Sequence, residues 1–436
     1  SRRIKAYVQL CTYVLKNNMQ MKHSKNYPWI VVALLWVVAL LNYMDRQMLS
    51  TMQPSMQVDI VELQTAEAFG FLMAIFLYIY GFMSPLAGII ADRMNRKWLI
   101  VGSLFVWSAV TYAMGITTQY NHLLVLRGVM GISEALYIPA GLSLIADYHS
   151  GKTRSLAIGI HMTGLYTGSA LGGFGASVAA EYGWHSAFHW FGIIGMVYAL
   201  VLIILLKEKR DSHSTEIGAT GGIPLFKGLG LLFSNMAFWV ILFYFAAPSL
   251  PGWATKNWFP TLFADSLHMP MEVAGPLSTF VLAASSFIGA VFIGGPLSDR
   301  WVQKNMRGRV FTSAIGLGLT IPSLILLGYG HTLVTVVGAG ILFGIGFGMF
   351  DANNMPILCQ FVPKKLRGTA YGFMNMVGVF AGAAVTQVLG SFKDQGNFGF
   401  GFAILSAIVL LALIIQLSFL RPKANDFEEL AVNKTA

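Results

Sequence analysis

The stretch Gly88–Lys97 reads Gly-Ile-Ile-Ala-Asp-Arg-Met-Asn-Arg-Lys and separates two long apolar runs. A shorter copy, Gly-Pro-Leu-Ser-Asp-Arg at Gly295–Arg300, lies 207 residues further on and also follows a long apolar run. A second correspondence, at a displacement of 213 residues, relates Arg154–Gly159 to Arg367–Gly372. Matches at two similar displacements indicate that the chain consists of two related halves.

The composition around this repeat excludes a soluble protein. The 436 residues are 56% apolar and only 11% charged, with a mean hydropathy of +0.64, whereas soluble domains carry about 25% charged residues. The apolar runs are continuous rather than alternating, which excludes a membrane β-barrel. Because a spanning helix needs about 20 apolar residues, the sequence predicts an all-α membrane protein with twelve transmembrane helices in two pseudo-symmetric six-helix bundles.

The longest polar internal segment separates the two predicted bundles. We expect an N-terminal tail at 1–28, a six-helix bundle at 29–206, a linker at 207–234, a second six-helix bundle at 235–420 and a C-terminal tail at 421–436. Ser212–Gly222 within the linker is rich in Gly, Ser and Thr, which is typical of a loop.

The basic residues predict the orientation. The chain carries 29 Lys and Arg residues and a formal charge of +10. If the loops alternate between the two sides, 25 of these residues lie on one side, three lie within spans, and only Lys393 lies on the other side. By the positive-inside rule, both termini are predicted to be cytoplasmic. The basic excess then faces the lipid bilayer surface, so a nucleic-acid partner is not implied.

The sequence contains no sign of enzymatic chemistry or of a cofactor. Its two cysteines, Cys11 and Cys359, have no metal-ligand spacing around them. Phosphate-binding loops, nucleophile elbows and zinc-protease motifs do not occur. We therefore expect no catalytic residues, no metal and no cofactor.

The segment at Gly88–Lys97 resembles the signature loop of the major facilitator superfamily, and its copy at Gly295–Arg300 is expected in that superfamily. The resemblance implies a multi-pass transporter in which these segments latch the cytoplasmic helix ends together in one conformation. An alternative is a charge cluster that only sets topology. The implied latch residues are Gly88, Asp92, Arg93, Arg96, Asp299 and Arg300.

Two further stretches resemble the anion:cation symporters of that superfamily, which include hexonate, hexuronate and sialic-acid carriers. They are Asn-Tyr-Met-Asp-Arg at 42–46 and the helix-4 segment Arg127–Ala140. The resemblance implies a protein of the bacterial inner membrane that works as a monomer. The string at 42–46 is also similar to Spinster-type lipid carriers, so that branch stays open. Tyr78, Trp258 and Asn375 also match the symporter pattern.

Six charged residues fall within the predicted spans, and their formal charges sum to zero: Asp45, Arg46, Arg127, Glu134, Lys256 and Asp351. Each charge at bilayer depth costs at least about 2.5–3.5 kcal/mol. Every one of them therefore needs a partner or a wet cavity and is a candidate for function.

The first four of these charges are expected to cluster. Arg127 and Glu134 are seven residues apart, nearly two helical turns, and share a helix face. Arg46 is the predicted substrate contact, because a guanidinium binds a carboxylate bidentately. Glu134, Asp45 and Arg127 are the predicted proton-coupling residues, since burial favours a protonated carboxyl group and a nearby arginine favours the ionised one. The alternative is a permanent ion network between helices 1 and 4.

The remaining candidates are single residues with open alternatives. Lys256 either adds a second positive contact or extends to the outer interface. Asp351 either contacts sugar hydroxyls or a cation, or serves helix packing. His161 either faces the cavity or is structural. Tyr43, Tyr78 and Asn375 would supply hydrogen bonds, and Trp258 would stack on a sugar ring.

The sequence predicts a proton-coupled symporter that imports a small organic anion by alternating access, most simply a sugar acid or a uronic-acid-containing mono- or disaccharide. Sodium in place of the proton stays open. The rival predictions are a Spinster-like lipid or organic-phosphate carrier and, from another class, a non-transporting membrane sensor or enzyme.

Overall fold

The structure is a computed structural model that describes residues 26–149, 153–208, 230–362 and 366–422. Within these ranges it leaves out the side chains of Ile89, Asp92, Arg93, Ser155 and Gly368. The predicted linker and tails thus lie almost entirely outside the described residues. The described chain forms helices and no strands.

The first six helices form the N-terminal half. They are α1 (Tyr27–Leu49), α2 (Ala66–Arg93), α3 (Arg96–Met114), α4 (Tyr120–Ala135 and Tyr137–Tyr148), α5 (Arg154–Gly172, continued by Gly175–Tyr182) and α6 (Trp184–Leu205). The loop between α1 and α2 holds two single-turn helices, Gln53–Met56 and Val61–Gln64.

The C-terminal half repeats this order. Its helices are α7 (Met236–Leu267), α8 (Met271–Val302, with a π-helical turn at Ile288–Gly294), α9 (Gly308–Tyr329), α10 (Leu333–Asp351 and Asn354–Phe361), α11 (Arg367–Asp394) and α12 (Phe398–Phe419). The predicted all-α fold with twelve helices is confirmed. Among the described residues, eleven helices are long and apolar enough to cross a membrane, and the exception is α5, whose sequence is rich in Gly, Ser and Thr.

The internal repeat reappears in the side-chain contacts. Arg154 Nε donates to the carbonyl of His149 at 3.1 Å, and its Nη2 donates to that of Ala146 at 3.2 Å. Arg367, 213 residues later, donates through the same atoms to residues at the same separations, Val362 at 3.1 Å and Cys359 at 2.7 Å. Each arginine thus satisfies carbonyl groups at the C-terminus of the preceding helix, α4 or α10.

The two ends of the molecule differ in charge. We call the end where α4 meets α5 and α10 meets α11 the basic end, since its loops carry the clustered Lys and Arg residues. The opposite end, where α1 meets α2 and α7 meets α8, we call the acidic end. Its acidic residues are Asp59, Glu62, Glu67, Glu181, Asp265, Glu272 and Asp394.

The two halves close against each other at the acidic end. Here α2 packs on α11, and α5 packs on α8. A Cβ atom added to Gly275 of α8 would lie 2.6 Å from the carbonyl oxygen of Gly173, at the end of α5. A Cβ atom on Gly70 of α2 would lie 2.7 Å from the carbonyl oxygen of Thr386 on α11. Backbones approach this closely only where glycine removes the side chain.

The basic end is open. Among the described residues, no atom of another helix lies within 4 Å of a Cβ added to Gly88, Gly159 or Gly372. These glycines lie on α2, α5 and α11, three of the helices that pack between the halves at the other end. The helix ends of the two halves therefore lie apart at the basic end.

Candidate functional site

A buried ion pair joins α1 to α4 at the centre of the N-terminal half. Arg46 lies in the last turn of α1, where the helix dipole favours a cation. Its Nε donates to Glu134 Oε2 at 2.5 Å, with side-chain exposures of 10% for Arg46 and 0% for Glu134. The rings of Tyr43, Phe76 and Tyr80 lie 4.7–5.0 Å from the guanidinium carbon. Arg46 is therefore the more exposed partner of a pair that aromatic rings enclose.

Asp45 and Arg127 lie beside this pair, so the structure brings the four expected charges together. Asp45 is 7% exposed and accepts a hydrogen bond of 2.5 Å from Thr111 of α3. Arg127 is 4% exposed, and its guanidinium lies 4.5 Å from the ring of Phe76. Both interact electrostatically with Glu134. We call Asp45, Arg46, Arg127 and Glu134 the central cluster; its formal charge is zero.

The helix that carries Glu134 breaks immediately after it. The first segment of α4 ends at Ala135, and the second begins at Tyr137. Pro139 lacks an N–H group and cannot bond to the carbonyl of Ala135, which explains the break. Its counterpart, α10, breaks after Asp351, so each half places a carboxylate where the regular backbone ends.

The C-terminal half presents its own cation and carboxylate to the same cavity. The Lys256 ammonium lies 4.8 Å from the ring centre of Trp253 and interacts electrostatically with Asp351 and with Arg46 of the other half. Asp351 is exposed and accepts a hydrogen bond of 3.2 Å from Asn354. Of the two alternatives for Lys256, the structure places the side chain toward the centre rather than at the outer interface.

Tyr43, Tyr78 and Asn375 are each half-buried. Tyr43 contacts Arg46 and is close enough to Asp351 to interact with it across the cavity. The ring of Tyr78 lies 6.3 Å from that of Phe380, where α2 meets α11. Asn375 lies on α11, one turn after the exposed Tyr371.

The prediction that Trp258 stacks on a sugar ring does not fit its position. The side chain is 0% exposed, and its Nε1 donates to the Thr386 carbonyl at 2.8 Å. Its ring packs between Phe69 and Phe398 at 6.0 and 5.7 Å. Trp258 is therefore part of the closed contact between α7, α11 and α2, because its indole satisfies a carbonyl that no ligand can reach.

His161 was predicted either to face the cavity or to be structural. It is 0% exposed and lies 6.0 Å from the ring of Tyr137, close to the backbone of Leu35. The close contact of α1, α4 and α5 seals it inside the N-terminal half. Of the two alternatives, the structural one matches this burial.

The latch residues whose side chains the structure describes form no ion pair between the two halves. The side chains of Asp92 and Arg93 lie outside the described structure. Arg96 forms an ion pair with Asp147, which joins α3 to α4 within one half. Asp299 and Arg300 are exposed. The expectation that Gly88 permits a close helix contact is not met here, because the helix ends at this side stand apart.

Sequence reasoning missed several polar residues that line the centre. Gln47 donates to the carbonyl of Lys256 at 2.9 Å and so connects the two halves. Tyr166 and Tyr371 lie close enough to Asp351 to interact electrostatically with it. A neutral polar residue in a helix carries no charge signal, so only its position in the fold could identify these three.

Comparison with known proteins gives the family. The model of the Major Facilitator Superfamily matches residues 35–386 and 307–430. The chain belongs to the major facilitator superfamily. It is 25% identical to the hexuronate transporter of Bacillus subtilis (strain 168) over 412 residues, covering 90% of this chain and 94% of that protein.

Two further likenesses are to Spinster-type proteins. The chain is 28% identical to the sphingosine-1-phosphate transporter SPNS2 of Mus musculus, covering 73% of this chain and 62% of that protein. A solved bacterial homologue of the human lysosomal transporter Spinster, in an inward-facing and unoccupied conformation, superposes with a TM-score of 0.76 at 18% identity, covering 92% of this chain and all of that chain. The latter supports the fold alone. The chain is thus a multi-pass membrane transporter rather than an enzyme.

Proposed function

We propose that this protein is a proton-coupled symporter that imports an organic anion, a sugar acid or a uronic-acid-containing saccharide, by alternating access. The observation that carries the proposal is the ion pair between Arg46, whose side chain is 10% exposed, and the fully buried carboxylate of Glu134. The similarity to a hexuronate transporter over most of both chains supports the substrate class.

Arg46 has unused hydrogen-bonding capacity that suits a carboxylate. Its Nε is bonded to Glu134, whereas its buried Nη2 has no acceptor among the described residues. A buried guanidinium N–H without an acceptor costs free energy, which an entering carboxylate would recover. The three aromatic rings around the guanidinium hold it in place, so little side-chain entropy remains to be lost on binding.

Charge balance supplies the coupling. The central cluster is neutral, and a bound carboxylate adds one negative charge in a low-dielectric site. When the substrate carboxylate pairs with Arg46, Glu134 loses its charge compensation and takes up a proton, which restores neutrality. Asp45 and Arg127 influence the charge of Glu134 electrostatically. They are also a second carboxylate–guanidinium pair that could exchange partners and take up the proton. Proton and anion then cross together.

The cation-rich loops support import from the acidic side. If the basic end is cytoplasmic, as the positive-inside rule predicts, the present conformation is open to the cytoplasm and closed to the outside. The substrate would be released at this stage, and the halves would then rock to open the acidic end.

The test uses purified protein in liposomes. We expect labelled hexuronate to exchange by counterflow and an acidic exterior to drive its accumulation, with no response to a sodium gradient. Glu134→Gln should retain counterflow but lose accumulation, whereas Arg46→Ala should weaken binding by about 30-fold or more, the cost of removing one partner of a buried charge contact. Accumulation that ignores the pH gradient would contradict the coupling.

A lipid-phosphate carrier is the second candidate, favoured by the 28% identity to SPNS2. A phosphate group would also bind Arg46, but the lipid tail would need an apolar path to the bilayer. Transport of a lysophospholipid phosphate in place of hexuronate in the same liposomes would favour this candidate.

A further inference from the structure

Asn42 is a buried amide beside the central cluster, and its hydrogen-bonding groups are unused. The side chain is 0% exposed, and neither Nδ2 nor Oδ1 has a hydrogen-bond partner among the described residues. Asn42 lies on α1 four residues before Arg46, so the two side chains share one helix face. A buried amide without partners costs free energy, whereas a leucine of similar size would fill the same space without that cost. The cost indicates a role other than packing.

Glu134 has an unused oxygen within reach of this amide. Its Oε2 accepts the hydrogen bond from Arg46 Nε, while its Oε1 is buried and has no partner in the part of the chain that the structure describes. The Asn42 side chain is close enough to this carboxylate to interact with it. The amide and the carboxylate are therefore neighbours, and each has hydrogen-bonding capacity that the present state does not use.

An amide suits a carboxyl group that changes its protonation state. Its NH₂ group donates to an ionised carboxylate, and its carbonyl oxygen accepts from the O–H group of a protonated one. A guanidinium has donors alone, so Arg46 and Arg127 cannot accept the hydrogen bond of a protonated Glu134. Asp45 is an acceptor in the central cluster, but it is already bonded to Thr111. The Asn42 carbonyl is thus an uncharged acceptor placed beside the carboxyl group.

The surroundings of Glu134 explain when it becomes protonated. The charged and titratable side chains that interact with it, among the described residues, are Tyr43, Asp45 and Arg46 of α1, Tyr80 of α2 and Arg127 of α4. The two arginines balance the two carboxylates, and the tyrosines carry no charge at neutral pH. A substrate carboxylate paired with Arg46 adds one negative charge to this balance, and one proton on Glu134 removes it.

We propose that Asn42 is a positioning residue for the transported proton: its carbonyl oxygen accepts a hydrogen bond from protonated Glu134 while a substrate carboxylate is paired with Arg46. This inference rests on the proposed function, in which Glu134 takes up the proton. The proton comes from solution and forms an O–H bond at the free oxygen Oε1, and no proton passes to Asn42. The amide stabilises the neutral acid in the step that couples the proton to the anion.

The test counts the protons taken up for each hexuronate bound. Isothermal titration calorimetry of the full-length protein in detergent, in pairs of buffers with different ionisation enthalpies, gives this number at each pH. Uptake of about one proton occurs between the pH at which Glu134 titrates without substrate and the higher pH at which it titrates with substrate. We call the pH at which uptake falls to half its maximum on the high-pH side the upper edge.

Removal of the amide should lower the upper edge. Asn42→Leu and Asn42→Val lack the acceptor, so the protonated, substrate-bound state loses one hydrogen bond. The upper edge should therefore move about one pH unit lower, which is the tenfold change expected for one buried hydrogen bond. The two variants differ in volume, so an equal shift in both separates the hydrogen bond from packing. Both should still bind hexuronate below the shifted edge.

Ser133→Ala is the matched control. Ser133 precedes Glu134 on α4, is 5% exposed, and donates to the carbonyl of Ser103 on α3 at 2.8 Å. The variant removes a buried hydrogen bond from the same helix without changing the surroundings of the carboxyl group, so the upper edge should stay in place. In a Glu134→Gln background, Asn42→Leu should have no further effect on proton uptake, because the group on which it acts is absent.

An unshifted upper edge in both apolar variants would overturn the inference, as would an equal shift in Ser133→Ala. Loss of hexuronate binding at every pH in both apolar variants would also overturn it, because the amide would then be needed for binding itself. These results leave the proposed function standing as long as the unmodified protein takes up a proton with hexuronate. If the unmodified protein binds no hexuronate, or binds it without proton uptake at any pH, the proposed function itself fails.

Discussion

Asp394 provides a contact whose removal should open the acidic end. Its carboxylate, at the end of α11, accepts hydrogen bonds from the backbone N–H groups of Ala66 and Glu67, both at 2.8 Å. These groups begin α2, so a side chain of the C-terminal half caps a helix of the N-terminal half. The contact exists only while the acidic end is closed, and it therefore stabilises that state over the open one.

The free energy that this contact contributes to the closed state follows from its two hydrogen bonds and from the exposure of Asp394. A helix cap contributes about 0.5–2 kcal/mol, and a negative charge at a helix N-terminus adds about 0.3–1 kcal/mol at an exposed site. Asp394 is exposed, so the lower half of the summed range applies, about 1–2 kcal/mol. Asp394→Ala should thus shift the ratio of closed to open molecules by about 5- to 30-fold toward the open state.

Pulsed electron resonance distances can report the shift. Spin labels at Glu62 and Val273, which lie on different halves at the acidic end and are both exposed, should show a longer-distance population in Asp394→Ala, after Cys11 and Cys359 have been replaced. Asp265→Asn is the control. It removes a nearby acidic charge, but its partner Lys393 belongs to the same half, so the distances should not change.

An unchanged distance distribution in Asp394→Ala would refute the reasoning, because the cap would then contribute nothing to closure. An equal shift in the Asp265 control would show that the charge of the acidic end, and not the cap, controls the opening.

Three further outcomes are expected. Arg46→Lys should retain a positive charge yet weaken hexuronate binding about tenfold, measured by thermal shift or calorimetry, because an ammonium cannot bond bidentately; equal affinity would show that only charge matters. Trp258→Phe should lower the stability of the closed state by about 1 kcal/mol, because the hydrogen bond to the Thr386 carbonyl is lost. Substrate affinity should not change. A selective loss of affinity would show that Trp258 contacts the substrate. Gly275→Leu should prevent closure at the acidic end, because the leucine side chain would clash with the Gly173 carbonyl. The spin labels across that end should then stay far apart. A short distance between them would show that the helices can shift to make room.

Part of the binding site was predictable from the sequence because charges in apolar helices are costly. That cost singled out Asp45, Arg46, Arg127 and Glu134, and the structure places all four together. The same argument identified Lys256 and Asp351 but left their direction open, since a long ammonium side chain can reach either the centre or the interface.

The aromatic and uncharged residues show where sequence reasoning ends. The sequence predicts Trp258 at the cavity and leaves His161 either at the cavity or structural, and both are 0% exposed within helix contacts. Tyr166 and Gln47, which line the centre, were not identified. An aromatic or amide side chain fits equally well against lipid, a neighbouring helix or a wet cavity, so its type does not reveal its surroundings.

The sequence by itself determined the twelve helices, the twofold repeat and the charges that a membrane would not tolerate without partners, because these depend on hydrophobicity and spacing along one chain. Only the tertiary structure decided which helix faces meet, that the acidic end is closed while the basic end is open, and which polar residues surround the cavity. The physical reason is that helical periodicity fixes the angle of a side chain around its own axis, whereas the rotation of that helix against its neighbours is set by close packing, here by glycines such as Gly70 and Gly275 that let backbones touch.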